Sequence, residues 1–387
     1  MPTLLNGGGG TNQATGPSAT GKQQAQAPLM PFIRASQLRR EQPFFDVTKL
    51  LTTGGSQDLG SIDVPAYGFL RGLRVVVTNT VVASGGTATG AEDSPFTSLQ
   101  NIFLSEPNGA IIYQANTGYE TYLHNKYGGY AYANDPRANT AVYAATSATS
   151  AGQYVLRIPI ELRTRDGLGS LPNQNAAATF KLRMTIASAV AGGVLYATNT
   201  NTTQATIRIQ VFPEYWDQPP QTIDGVAAAQ LPPAVSTTQF WTTQQFTVNT
   251  GLNTIRLTRM GNYIRNAIFI FRTAGTTRST GETNWPDPTY LYVDIHQQDA
   301  VLKNEWYTTV YERYGYQGTG DAVNQKDNGV FPYDFCHEFD GQVGHENNDL
   351  WLATKASSRV ELQGNFAAAG VLTVLTNDVA VVGNVFM

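Results

Sequence analysis

The stretch FCHEFDGQVGHE, residues 335–346, gathers the side chains best suited to chemistry. Cys336, His337, Glu338, Asp340, His345 and Glu346 are all metal-ligand types. His337 and His345 stand eight apart in a Gly-containing segment, which is not a helical zinc spacing. They are weak metal candidates. A polar loop at a strand end, with Cys336 buried in it, is the expected state. Carboxylate pairs such as Asp334 with Glu338, or Glu282 with Asp287, could imitate a glycosidase pair. Their spacing does not favour that over solvated loops. Signatures of the HExxH, GxSxG and SDN kinds are absent from the sequence. Trp216, Trp285 and Trp351 could stack on sugars, but core or interface filling is commoner. His124 is expected at a surface or interface, and His296 as a satisfied edge histidine. The chain therefore reads as a non-enzyme that needs no cofactor.

The elements that must carry these residues are strands. The chain has 387 residues, 41% hydrophobic and only 14% charged, against about 25% charged in ordinary globular chains. Its surface is built from Thr, Asn, Gln, Ser and Ala, or is buried against other subunits. Gly, Pro, Tyr and Phe with abundant Thr and Val suit strands and turns. Net charge is −4, so no general nucleic-acid footprint exists. No apolar run approaches the roughly 18 residues of a spanning helix. The start of the chain lacks the charged and apolar regions of a secretory signal. One cysteine excludes an intramolecular disulfide.

Two short helices interrupt the strands. GYETYLHNKYG (118–128) sets Tyr119, Tyr122, Leu123 and Tyr127 on one stripe, with Thr117 and Glu120 as a capping box and Gly128 as a left-handed stop. WYTTVYERYGY (306–316) repeats the stripe with Trp306, Val310, Tyr311 and Tyr314, and Gly315 repeats the stop. Each follows the same run of strands. FLRGLRVVVTNTVV (69–82) corresponds to YIRNAIFIFRTAG (263–275), and the aromatic helix comes later in both halves. The helix recurs because the domain recurs. Residues 1–43 form a flexible basic arm, 44–215 a first sandwich, 216–239 a Pro-rich linker and 240–387 a second sandwich. The arm holds Lys22, Arg34, Arg39 and Arg40 against Glu41, a net +3, leaving −7 for the remainder. FIRASQLRRE (32–41) could form a basic amphipathic helix through Phe32, Ile33 and Leu38.

At RIPIELRTRDGLGSLPNQNAAATFKLRMTI (157–186), NTGYETYLHNKYGG (116–129) and NEWYTTVYERYG followed by NGVFPYDFC (328–336), the chain resembles a known family. It is similar to the double jelly-roll major capsid proteins of tectiviruses, the membrane-containing icosahedral phages with PRD1 as type member. The resemblance spans roughly residues 32–387, outside the insertions at 275–288 and 317–330. It implies an all-β fold of two consecutive eight-stranded antiparallel jelly rolls, each with a flanking helix. It also implies a homotrimer that forms a pseudo-hexagonal capsomer. Implied partners are neighbouring capsomers, vertex (penton) and minor capsid proteins, and an internal membrane. The arm, through Arg34, Arg39 and Arg40, would face that membrane. The implied place is the virion, assembled in the host cytoplasm. A second reading stays open: a trimeric two-sandwich spike that binds a receptor or glycan.

Overall fold

The computed structural model describes residues 29–81, 83–130, 135–138, 153–220, 222–223, 226–234, 236–273, 277–318, 320–336 and 351–380. Eight strands make the first barrel: β1 (Phe45–Leu50), β2 (Gln57–Asp63), β3 (Phe69–Val81), β4 (Leu99–Ser105), β5 (Ile111–Thr117), β6 (Gln153–Pro159), β7 (Lys181–Ile186) and β8 (Thr206–Trp216). Eight more make the second: β9 (Gln239–Val248), β10 (Gly251–Leu257), β11 (Tyr263–Thr273), β12 (Thr289–Val293), β13 (His296–Val301), β14 (Val330–Asp334), β15 (Val360–Phe366) and β16 (Gly370–Val379).

Pairing follows one plan twice. In the first barrel β1-β8-β3-β6 face β2-β7-β4-β5; in the second β9-β16-β11-β14 face β10-β15-β12-β13. In each barrel consecutive strands lie on opposite sheets except at the β4–β5 and β12–β13 hairpins, the jelly-roll arrangement. The helices sit at matching points. α1 is the single turn Phe32–Ala35, α2 is Gly118–Tyr127 directly after β5, α3 is Arg278–Asn284, and α4 is Lys303–Tyr314 directly after β13.

The barrels are not beads on a string. β9 pairs parallel with β5, with Trp241 opposite Tyr113, so one sheet runs from the first barrel into the second. This explains the unbroken apolar run of β11. Phe269 and Phe271 point into the second core, while Ile268 and Ile270 point into the first. A strand covered on both faces cannot alternate with polar residues. By contrast β1 alternates weakly and is largely exposed, as befits an edge. The Pro107-Asn108-Gly109 turn joins β4 to β5, and Gly109 has φ +89°.

Several sequence expectations change. Residues 32–41 are not one helix: α1 ends at Ala35, and Leu38–Arg40 pairs with the end of β8. Phe32 packs edge-on against Phe69 and Trp216, while Leu38 is exposed. The docking of that aromatic ring ties the chain down from Phe32 onward. Gly128 has φ −82°, and the left-handed residue after α2 is Gly129. Gly315 is left-handed as expected, at φ +70°. In 275–288, α3 appears where no periodicity announced it, because its Arg278 is held by contacts remote in sequence.

Candidate functional site

The seam between the barrels holds the densest chemistry of the chain. It is built around α2. Expected to be amphipathic, α2 is buried at all ten positions. Tyr119, Tyr122 and Leu123 join the first core, with Phe96 stacked on Tyr122 at 4.4 Å. The other side is roofed by the second barrel, so no solvent face remains. The N-terminus is capped by Thr117, whose Oγ1 accepts from Glu120 N at 3.3 Å. Glu120 folds back to accept from Asn116 N, one residue short of the expected partner.

His124 is fully buried, not at a surface. Its Nδ1 lies 2.8 Å from the Tyr113 hydroxyl, and its ring lies against Trp241 of β9. Burial holds its pKa down at about 3, so it is neutral. Thr243, also on β9, donates from Oγ1 to Gln114 O and to Glu120 Oε2. Burial pushes the Glu120 carboxyl up to about 7. Gly128 is required beside this joint: a Cβ there would stand 3.1 Å from the Trp241 ring and 2.3 Å from His124 O.

One turn further, charges cross the seam. Lys126 Nζ, with no exposed side-chain surface, lies 2.7 Å from Asp327 Oδ2 and 2.9 Å from Asp135 Oδ2. It also sits 4.4 Å from the centre of the Tyr316 ring. Arg137 pairs with Asp135 at 2.7 Å and donates to Asp321 O. Tyr127 donates to Asp327 at 2.8 Å. Burial alone would raise the Asp327 carboxyl. Lys126, Arg137 and Arg278 overcome it and hold the pKa at about 2. Two cations and two carboxylates thus cancel inside the seam, which is the condition under which buried charge is tolerated.

A second cluster repeats the device. Arg278 on α3, buried, pairs with Asp93 of the first barrel and with Asp321. Arg272 on β11 pairs with Asp93 at 2.7 Å. The N–H groups of Arg278 and Ser279 donate to Glu92. Glu282 pairs with buried Lys326 at 2.7 Å and accepts from Tyr307.

In α4, Trp306, Val310 and Tyr314 are buried as expected, but Tyr311 is 54% exposed and leaves the stripe. Tyr314 instead donates to Asp334 and to Tyr127 O, while Tyr127 meets it edge-on at 5.4 Å. The two aromatic helices therefore touch through their C-terminal tyrosines. His337 and His345 lie outside the described residues. Among the described residues no cluster of His, Cys, Asp and Glu could hold a metal. Asp334 is bound by Arg313 and Tyr314, and Glu282 by Lys326 and Tyr307, so neither carboxylate is free to act in a glycosidase pair. Trp216, Trp285 and Trp351 are buried, which removes them as sugar platforms.

Near the start of the described chain, Arg34 is exposed. Arg39 pairs with Asp217 at 2.6 Å and Arg40 with Glu214 at 3.1 Å. Sequence reasoning missed Asp93, Asp135, Arg137, Arg278, Lys326 and Asp327. Their partners are remote in the chain, and the one visible signal was a lysine inside an aromatic helix.

These features belong to one fold. No protein-family model matches the sequence, and no curated protein matches it significantly. Solved structures do. The STIV MCP, from Sulfolobus Turreted Icosahedral Virus, is 16% identical with TM-score 0.56, over 89% of this chain and 97% of that one. The fold is that of a double jelly-roll capsid protein. The major capsid protein P2 from Bacteriophage PM2 is 12% identical with TM-score 0.50, over 90% and 99% of the two chains. The PBCV-1 virus capsid chain is 14% identical with TM-score 0.51, over 88% and 94%. These double jelly-roll capsid proteins come from several viral groups.

Proposed function

We propose that the protein is a major capsid protein of the tectivirus kind, building an icosahedral shell around an internal membrane. The observation that carries this is the duplication: one jelly roll written twice in a chain, the two joined by the β5–β9 pairing through one continuous sheet. Three such chains would supply six like barrels, hence a pseudo-hexagonal capsomer. Hexagonal blocks tile a flat facet, while vertices need other chains, so penton and minor capsid proteins are the expected partners. The expected place is the virion, with assembly in the host cytoplasm.

The division into an arm (1–43), two barrels (44–215 and 240–387) and a linker (216–239) belongs to the same proposal. So does the arm's contact with an anionic bilayer. Basic residues near such a surface contribute about 1 kcal/mol each. Arg34 would carry more of this than Arg39 and Arg40, which share their charge with Asp217 and Glu214. Electron microscopy of the purified protein is the test. Six-sided particles, and closed shells on further assembly, support the reading; particles without six-sided outline overturn it.

A further inference from the structure

A cavity of about 280 Å³ opens on the second barrel between β13, α4 and β14. Asp299, Glu305, Thr309 and Arg313 are among its lining residues. Its position in the repeat is informative. In both barrels a helix follows the fifth strand, and in both the N3 glutamate folds back onto the backbone at the cap, Glu120 in α2 and Glu305 in α4. With these glutamates aligned, Gln114, Glu120, His124 and Gly128 correspond to Asp299, Glu305, Thr309 and Arg313. The first four are the cradle that receives Trp241 and Thr243 of β9. The cavity is thus the second barrel's version of a cradle that the first barrel fills from within the chain.

The strand edges tell the same story. Edge β5 is joined by β9. Among the described residues the corresponding edge β13 pairs only with β12, and the edge corresponding to β9, formed by β1 and Leu38–Arg40, pairs only with β8. One joint is made inside the chain; among the described residues both halves of its counterpart are open, and they lie on opposite barrels.

We propose that this cavity receives the β1 edge of a second copy of this chain, with Arg40 seated among its carboxylates. Register selects Arg40. Trp241 stands opposite Asn377, and Arg40 stands opposite Glu214. Asn377 and Glu214 correspond, because each flanks a bulge that leaves out an arginine, Arg265 on β11 and Arg71 on β3. Charge agrees with register. Asp299, Glu305 and Asp334 line the cavity against Arg313 alone, while the Arg40 side chain, although paired with Glu214 at 3.1 Å, is still 51% exposed at the open edge. Trp306 Nε1–H, buried in the cavity wall, has no acceptor among the described residues and could donate to the incoming strand. At the matching position the joint within the chain is the buried Trp241 ring, and the ion pairs beside it are buried, whereas Arg40 is half-exposed, so the joint between copies should weaken more with salt.

The inference rests on the proposed self-assembly, and one set of experiments separates the two. The full chain is followed by native mass spectrometry at rising concentration and salt. Arg40→Glu should weaken association about tenfold or more, and high salt should weaken the unaltered chain in the same direction. A chain carrying Arg40→Cys and Thr309→Cys, treated with a short bis-maleimide, should give covalent dimers and trimers on a denaturing gel. Either single change should give none, since Cys336 is buried. If the unaltered chain forms trimers but Arg40→Glu associates as tightly and the double-cysteine chain stays uncoupled, the cavity assignment is overturned and the capsid reading stands. If the unaltered chain is monomeric at every concentration, both fall. Should Arg40→Glu not fold, the cysteine pair decides alone.

Discussion

Trp241 of the second barrel lies against His124 of the first, ring centroids 4.2 Å apart and planes tilted by 32°. This contact, with the strand pairing beside it, makes one body of two barrels. Trp241→Ala should cost about 3–5 kcal/mol, the usual range for a buried tryptophan, and thermal unfolding should show it. Trp306→Ala should cost a similar amount, since Trp306 packs edge-on to Trp285 and Phe331. Glu312→Ala and Tyr311→Ala, both on the exposed side of α4, should shift the midpoint little. Equal shifts for the buried and exposed positions would contradict the helix assignment.

The buried ions make a separate prediction. Asp327→Asn leaves Lys126 with one carboxylate fewer in a site closed to water, and should cost about 3–5 kcal/mol. Replacing both partners, Lys126→Met with Asp327→Leu, should cost less than the two single changes summed, because no unpaired charge remains. The exposed pair Lys181–Asp63 should show no such coupling. A double-mutant cycle by denaturant unfolding checks this; an additive result at Lys126 and Asp327 would remove the seam's ionic lock.

Acidity should act on α2 in two opposed senses. Glu120, raised by burial from 4.5 to about 7, keeps in the fold a proton that the unfolded chain loses. Its contribution to stability therefore falls as pH rises from 4.5 to 7. His124, lowered by burial from 6.5 to about 3, refuses a proton that the unfolded chain accepts. Its contribution falls as pH drops from 6.5 towards 3. Between pH 4.5 and 6.5 the slopes oppose. Glu120→Gln removes one of them, so the variant should gain on the unaltered chain by about 1–3 kcal/mol as pH rises from 5 to 7. A constant difference across that range would contradict the buried, protonatable state of Glu120.

Much of this architecture was legible in the sequence, and the reasons are local. β3 and β11 announced themselves as matching β-branched runs, and the Pro-Asn-Gly turn fixed the β4–β5 hairpin. Trp306, Val310 and Tyr314 are buried along one stripe, as their spacing suggests, because α4 has a real solvent face. α2 was misread because its roof comes from residues more than a hundred positions away, and no helical period reports a neighbour that remote. The same distance hid Asp327 and Arg278. Arg39 and Arg40 were read as free arm charges, since nothing near them in sequence predicts Asp217 and Glu214 as partners.

The arm offers a test on vesicles. Trimers displayed densely on beads should bind anionic vesicles at low salt through many weak arms at once. Arg34→Gln should reduce this binding more than Arg39→Gln, because Arg39 is already paired with Asp217. If the unaltered protein ignores such vesicles at every salt concentration, the membrane role of the arm is withdrawn and the shell role is untouched.

The capsid claim itself meets its most direct test in the native mass of the purified chain, read together with negative-stain images of the same sample. A mass of three chains in six-sided particles is the predicted result. A stable single chain, or a trimer whose projections show three separate lobes without a six-sided outline, would contradict it.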